Sequence, residues 1–63
     1  MEKVYAFQIE KLVREGIEVF VLDMAQKEIF TANNALFSQV AKVIADDDKN
    51  YFAWIEDDYE ESE

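Results

Sequence analysis

Residues 17–32 read Ile-Glu-Val-Phe-Val-Leu-Asp-Met-Ala-Gln-Lys-Glu-Ile-Phe-Thr-Ala, and the choice between two fold classes depends on them. Their first six positions hold three β-branched residues and a phenylalanine, a composition that favours a strand. Residues 23–27 interrupt this apolar run, and a second run follows at 28–32. We therefore predict a hairpin in which residues 17–23 turn through residues 24–27 into residues 28–32.

The same residues allow an alternative. The predicted turn lacks the Asn-Gly or Asp-Gly pair that is typical of tight hairpins. Residues 24–30 also include several good helix formers, so that they could belong to a helix. In that case the protein is an all-α helical dimer.

Amphipathic helices are predicted on both sides of this region. Residues 2–15 place Tyr5, Ile9 and Leu12 at helical spacing, and Gly16 suits the position that follows a helix end. A second helix is predicted at 34–46, with Asn33 as its N-cap. The apolar stripe of this helix consists of Leu36, Phe37, Val40, Val43 and Ile44.

The C-terminal part combines aromatic and acidic residues. Residues 51–55 are predicted to form a strand that packs on the body of the domain, with Trp54 as its main anchor. The three aspartates at 46–48 are expected to end the second helix, because aspartate favours turns. The predicted fold is thus a small single α+β domain at 1–58, in the order helix–hairpin–helix–strand, with an acidic tail at 59–63.

The chain has few ways to stabilise so small a core. It has 63 residues, and a domain of this size buries only about 60% of its unfolded surface. Cysteine and histidine are absent, which excludes disulfides and the usual zinc ligands. Because 51% of the residues are hydrophobic, the chain has more apolar surface than one small core covers. We therefore expect a homodimer.

The negative charge is concentrated near the C-terminus. Residues 46–63 carry nine acids and one base, whereas residues 1–45 carry six acids and five bases. Such a region repels nucleic acid and attracts basic protein surfaces. The candidate partner-binding residues are Asp46, Asp47, Asp48, Trp54, Glu56, Asp57, Asp58, Glu60 and Glu61.

No pattern in the sequence predicts a catalytic residue, a metal ion or a cofactor. The usual nucleophile–base pairs and glycine-rich phosphate loops are missing. Asp46, Asp48, Asn50 and Asp57 have the spacing of calcium ligands, but Tyr51 occupies the position where the loop needs glycine. We expect a non-enzymatic protein. Since no apolar run approaches the roughly 20 residues of a membrane span and no signal peptide is visible, we expect it in the cytoplasm.

A family resemblance rests on size and acidic character. A short, cysteine-free, acidic chain in which residues 54–61 read Trp-Ile-Glu-Asp-Asp-Tyr-Glu-Glu resembles the small accessory proteins of temperate phages, such as those of the early region of lambda-like phages. The resemblance implies a modulator of host takeover or of the lysis–lysogeny decision that acts through protein contacts.

Two functions are consistent with these patterns. The first is a small interaction protein that binds and modulates a host or regulatory protein. Its acids would occupy a basic surface of the partner, and its aromatic residues would supply binding energy. The alternative is a regulator that contacts DNA as a dimer through the N-terminal bases Lys3, Lys11 and Arg14.

Overall fold

The computed structural model describes residues 1–56, which form four strands and two helices. The strands are β1 (Glu2–Val4), β2 (Phe20–Asp23), β3 (Glu28–Thr31) and β4 (Tyr51–Ile55), and the helices are α1 (Ala6–Arg14) and α2 (Phe37–Asp46). A single 3₁₀ turn, Ala32–Asn34, precedes α2. This part of the chain is therefore an α+β domain, and the all-α alternative is wrong.

The predicted hairpin is present, but its first strand begins at Phe20 and not at residue 17. Asp23 explains how the hairpin turns without glycine. Strands β2 and β3 pair in antiparallel fashion. The Asp23 carboxylate accepts hydrogen bonds from the backbone N–H groups of Ala25 (3.0 Å) and Gln26 (3.2 Å). Lys27 adopts a left-handed φ of 56°, and its N–H donates to the carbonyl of Asp23 at 2.6 Å. An aspartate side chain thus organises the turn.

The four strands form one antiparallel sheet in the order β1-β4-β2-β3, so the last strand lies near its centre. Because side chains alternate along a strand, Val4, Val21 and Ala53 lie side by side on one face of the sheet. These residues are buried in one cluster with Ile9 of α1 and Val43 of α2. Both helices therefore cover this face, and the core lies between the helices and the sheet.

The start of the first predicted helix is wrong. Residues 2–4 form β1, which pairs with β4, and α1 begins only at Ala6. Val4, opposite Ala53, is almost completely buried. This long-range contact overrides the helical spacing of the local sequence. The end of the helix is as predicted: Gly16 has a φ of +84°, and its N–H donates to the carbonyl of Val13 at 3.0 Å.

Asn33 is not the N-cap of α2. It lies in the 3₁₀ turn, where its Oδ1 accepts from the N–H of Val19 (2.9 Å) and its Nδ2 donates to the carbonyl of Ile17 (3.0 Å). The helix begins at Phe37 instead, with Leu36 in the capping position. Asn33 therefore fastens the residues before β2 to the turn that leads into α2.

The predicted domain boundary after residue 58 lies outside the described residues. The same is true of the candidate residues Asp57, Asp58, Glu60 and Glu61. Within residues 1–56, neither helix has the length and apolar character needed to cross a bilayer.

Candidate protein-interaction surface

The sheet has a second face, which no helix or strand of residues 1–56 covers. The strand register places on this outer face Lys3, Phe20, Leu22, Ile29, Thr31, Phe52 and Trp54. Five of these seven side chains are apolar, and all of them retain some exposure to solvent. An apolar face of this kind is typical of a surface that binds another molecule.

Three aromatic rings form the centre of the outer face. The ring of Trp54 stacks on that of Phe20 at a centroid distance of 5.7 Å, and lies 5.8 Å from that of Phe52. The prediction that Trp54 anchors β4 to the body is wrong, because the alternation of β4 directs Ala53 and Ile55 to the core instead. Trp54 is half-buried by its aromatic neighbours.

The positive charge of Lys3, at the edge of the outer face, is paired with an acid of the same chain. Its Nζ lies 4.6 Å from the ring centroid of Phe52 and 5.0 Å from that of Tyr5. The same Nζ forms an ion pair with Oδ1 of Asp48 at 3.4 Å. The other carboxylate oxygen of Asp48 accepts the N–H of Ala6 at 3.1 Å, at the start of α1. Asp48 thus binds two groups of its own chain.

Asp46 also binds groups of its own chain, at the end of α2. Its carboxylate accepts the backbone N–H of Lys49 (2.8 Å) and both the backbone N–H (2.6 Å) and the side-chain Nδ2 (2.8 Å) of Asn50. The backbone hydrogen bond from Asn50 is the main reason why the pKa of Asp46 lies below its usual value. The next residue, Asp47, adopts a left-handed φ of 57° and is exposed. The aspartates therefore end the helix as predicted.

The predicted acidic residues do not form one patch within residues 1–56. Asp46–Asp48 precede β4 and Glu56 follows it. The rise of a strand puts about 17 Å between Tyr51 and Glu56. Phe52 and Trp54 lie between these two acidic ends, on the outer face. The arrangement is thus an aromatic centre with acids at either end of the strand.

The three bases proposed for DNA contact all have acidic neighbours. The ion pairs are Lys3 with Asp48 (3.4 Å), Lys11 with Glu15 (3.9 Å) and Arg14 with Glu10 (2.7 Å). The last two pairs each join residues four positions apart, on α1 or at its C-terminal end. The pairs reduce the positive charge that these bases could offer to a phosphate backbone.

A second apolar surface, which the sequence did not predict, is a cleft between α1 and α2. We call it the helix cleft; its volume is about 620 Å³. Its walls include Val13 of α1 and Phe37, Ala41 and Ala45 of α2. Phe37 and its neighbour Leu36 were assigned to the apolar stripe of a core helix, yet they are 87% and 74% exposed. The stripe of α2 is therefore wider than the core can cover.

Comparisons with known proteins and a search for metal ligands add no further assignment. Within residues 1–56, no three acidic side chains are grouped in a way that could hold a metal ion. Comparisons of the chain with protein-family models, with curated proteins and with solved structures gave no match.

Proposed function

We propose that the protein is a small, non-enzymatic interaction protein that acts as a homodimer and modulates a host or regulatory protein by binding a basic surface of it. The observation that carries the proposal is the layout of β4. Phe52 and Trp54 form the centre of the outer face. Asp47 precedes β4 and Glu56 follows it, and both are exposed. A few well-packed residues, with tryptophan among the commonest, supply most of the binding energy of such interfaces, while acids at the rim speed the encounter with a basic partner.

The aromatic cluster is well suited to this role because its rings already pack against one another. The near-parallel rings of Phe20 and Trp54, inclined at 21°, restrict each other. Less side-chain entropy is then lost when a partner covers them. Lys3 is paired with Asp48, so the outer face offers little net positive charge to repel a basic partner.

The alternative function, direct DNA binding, has no observation in its favour. The net charge of the chain is −9, and its N-terminal bases take part in ion pairs. Affinity for DNA depends on how many phosphates a protein neutralises. The resemblance to accessory proteins of temperate phages also favours a host protein, in the cytoplasm, as the partner.

Affinity capture from the cells that naturally contain the protein tests this proposal. We expect the wild-type chain to retain a basic protein that Trp54→Ser fails to retain. Phe7→Ser is the matched control, since Phe7 is an exposed aromatic residue on α1 and not on the sheet. Capture should weaken as salt is raised, because the acids attract the partner through long-range electrostatics. A partner that Trp54→Ser captures as well as the wild type does would contradict the proposal.

A further inference from the structure

The helix cleft combines a protruding aromatic ring with small residues on the same helix. Phe37, in the first turn of α2, is 87% exposed although it lines the cleft. Ala41 and Ala45 follow it at intervals of four residues and line the same cleft. In a two-fold dimer the same surface of each copy faces the other. A large side chain on one copy can therefore pack over the small residues of the second copy.

The spacing along α2 fits a two-fold axis beside Ala41. Phe37 and Ala45 are each four residues from Ala41, which is about 6 Å along a helix. When two copies of α2 pack antiparallel across that axis, Phe37 of each copy meets Ala45 of the other. The alanines let the two helices approach closely, and the helix–helix distance depends on such side chains.

The charge of the helix cleft favours a second copy over a basic partner. Two chains of net charge −9 repel each other, so they can meet only where the facing surfaces carry little net charge. Among residues 1–56, the cleft lining has two charged residues, Glu10 and Arg14, and these form an ion pair with each other at 2.7 Å. A basic partner finds no net attraction there.

We infer that the helix cleft is the homodimer interface, in which α2 packs antiparallel against α2 of a second copy across a two-fold axis at Ala41. This inference rests on the homodimer that is part of the proposed function. It leaves the outer face of each protomer open to the basic partner, because the sheet and the helices lie on opposite sides of the core.

Charge substitutions at Ala41 test the interface. Ala41 is exposed, so a glutamate or a lysine at this position is compatible with the folded monomer. Across the axis, however, two like charges meet. In sedimentation equilibrium we expect Ala41→Glu and Ala41→Lys each to weaken dimerisation at least about tenfold, and an equimolar mixture of the two to recover dimers. Phe37→Ser should also weaken dimerisation, whereas Ala25→Glu in the β2–β3 turn should not.

Three results would overturn the inference. A wild-type chain that is monomeric at roughly 100 μM removes both the dimer and its interface. If the wild type is a dimer and both Ala41 variants are still dimers, the helix cleft is not the interface. The same follows if Trp54→Ser dissociates the dimer and the Ala41 variants do not. Circular dichroism of every variant confirms that the monomers are folded. Because partner capture is measured separately, the basic-partner proposal can fail or succeed independently.

Discussion

Asp48 shows how a residue of an acidic run becomes a structural residue. Its carboxylate contacts Lys3 of β1 and the N–H of Ala6 at the start of α1, 42 positions away in the sequence. A negative charge is favourable there because the helix dipole is positive at the N-terminus. The sequence indicated a partner-binding acid but not these intramolecular contacts, because linear charge density does not reveal contacts made through the fold.

Removal of the Asp48 charge should destabilise the protein. Asp48→Asn keeps a side chain that tolerates the left-handed φ of 63° but loses the charge. We expect the free energy of unfolding to fall by about 1 kcal/mol, measured by urea denaturation. Asp47→Asn is the matched control, because Asp47 is exposed and also has a left-handed φ, of 57°. Equal losses in the two variants would rule out the capping role.

Asp46 should contribute to the loss of stability in acid. The backbone hydrogen bond from Asn50 lowers the pKa of Asp46 in the folded state. The resulting stability is present above the unfolded pKa of about 3.9 and is lost as the pH falls through the folded pKa. We therefore expect Asp46→Asn to be less stable than the wild type at pH 7. Below about pH 4 the variant should lose less stability than the wild type does. Thermal unfolding across this pH range checks the expectation; parallel profiles for variant and wild type would contradict it.

The helices and strands that the sequence predicted correctly are those that depend on interactions between residues close together in the chain. The β-branched residues in and just before β2, the glycine after α1 and the aspartates at the end of α2 all act within a few residues of their own position. Strand β1 and the role of Asn33 depend on partners far along the chain, namely β4 and the residues before β2. A helical pattern in a short segment cannot reveal such partners, so these two features were missed.

The β2–β3 turn offers a direct test of its geometry. Lys27 has a φ of 56°, a conformation that costs a residue with a Cβ atom about 1 kcal/mol. Lys27→Gly should therefore raise the free energy of unfolding by up to about 1 kcal/mol, even though glycine increases the entropy of the unfolded chain. Ala25→Gly, in the same turn, should bring no gain, because Ala25 does not have a positive φ. A loss of thermal stability in Lys27→Gly would mean that the turn has another conformation.

For the whole molecule, the aromatic character of β4 was predictable but its orientation was not. Both faces of residues 51–55 are apolar, so alternation alone does not tell which face is buried. The register with β1 and β2 decides it, and Ala53 rather than Trp54 faces the core. The helix cleft depends likewise on how α1 and α2 pack against each other, which their sequences do not specify.

The two proposed surfaces should respond to salt in opposite directions. Salt screens the repulsion between two chains of net charge −9, so dimerisation should strengthen severalfold between about 50 and 500 mM salt. Binding of the basic partner should weaken over the same range, because its attraction is screened as well. Sedimentation equilibrium and partner titration at each salt concentration measure the two effects. If salt strengthened both interactions, or weakened both, the two surfaces would not differ in their electrostatics as proposed.

The emission of Trp54 reports whether the outer face binds a basic surface. Trp54 is the single tryptophan of the chain and lies in the aromatic centre of that face. The protein is titrated with a peptide of alternating lysine and leucine, and in parallel with one of alternating glutamate and leucine. We predict a saturable blue shift with the basic peptide that diminishes as salt is raised, and no shift with the acidic peptide. An unchanged emission maximum, or equal shifts with both peptides, would show that the outer face does not select a basic surface.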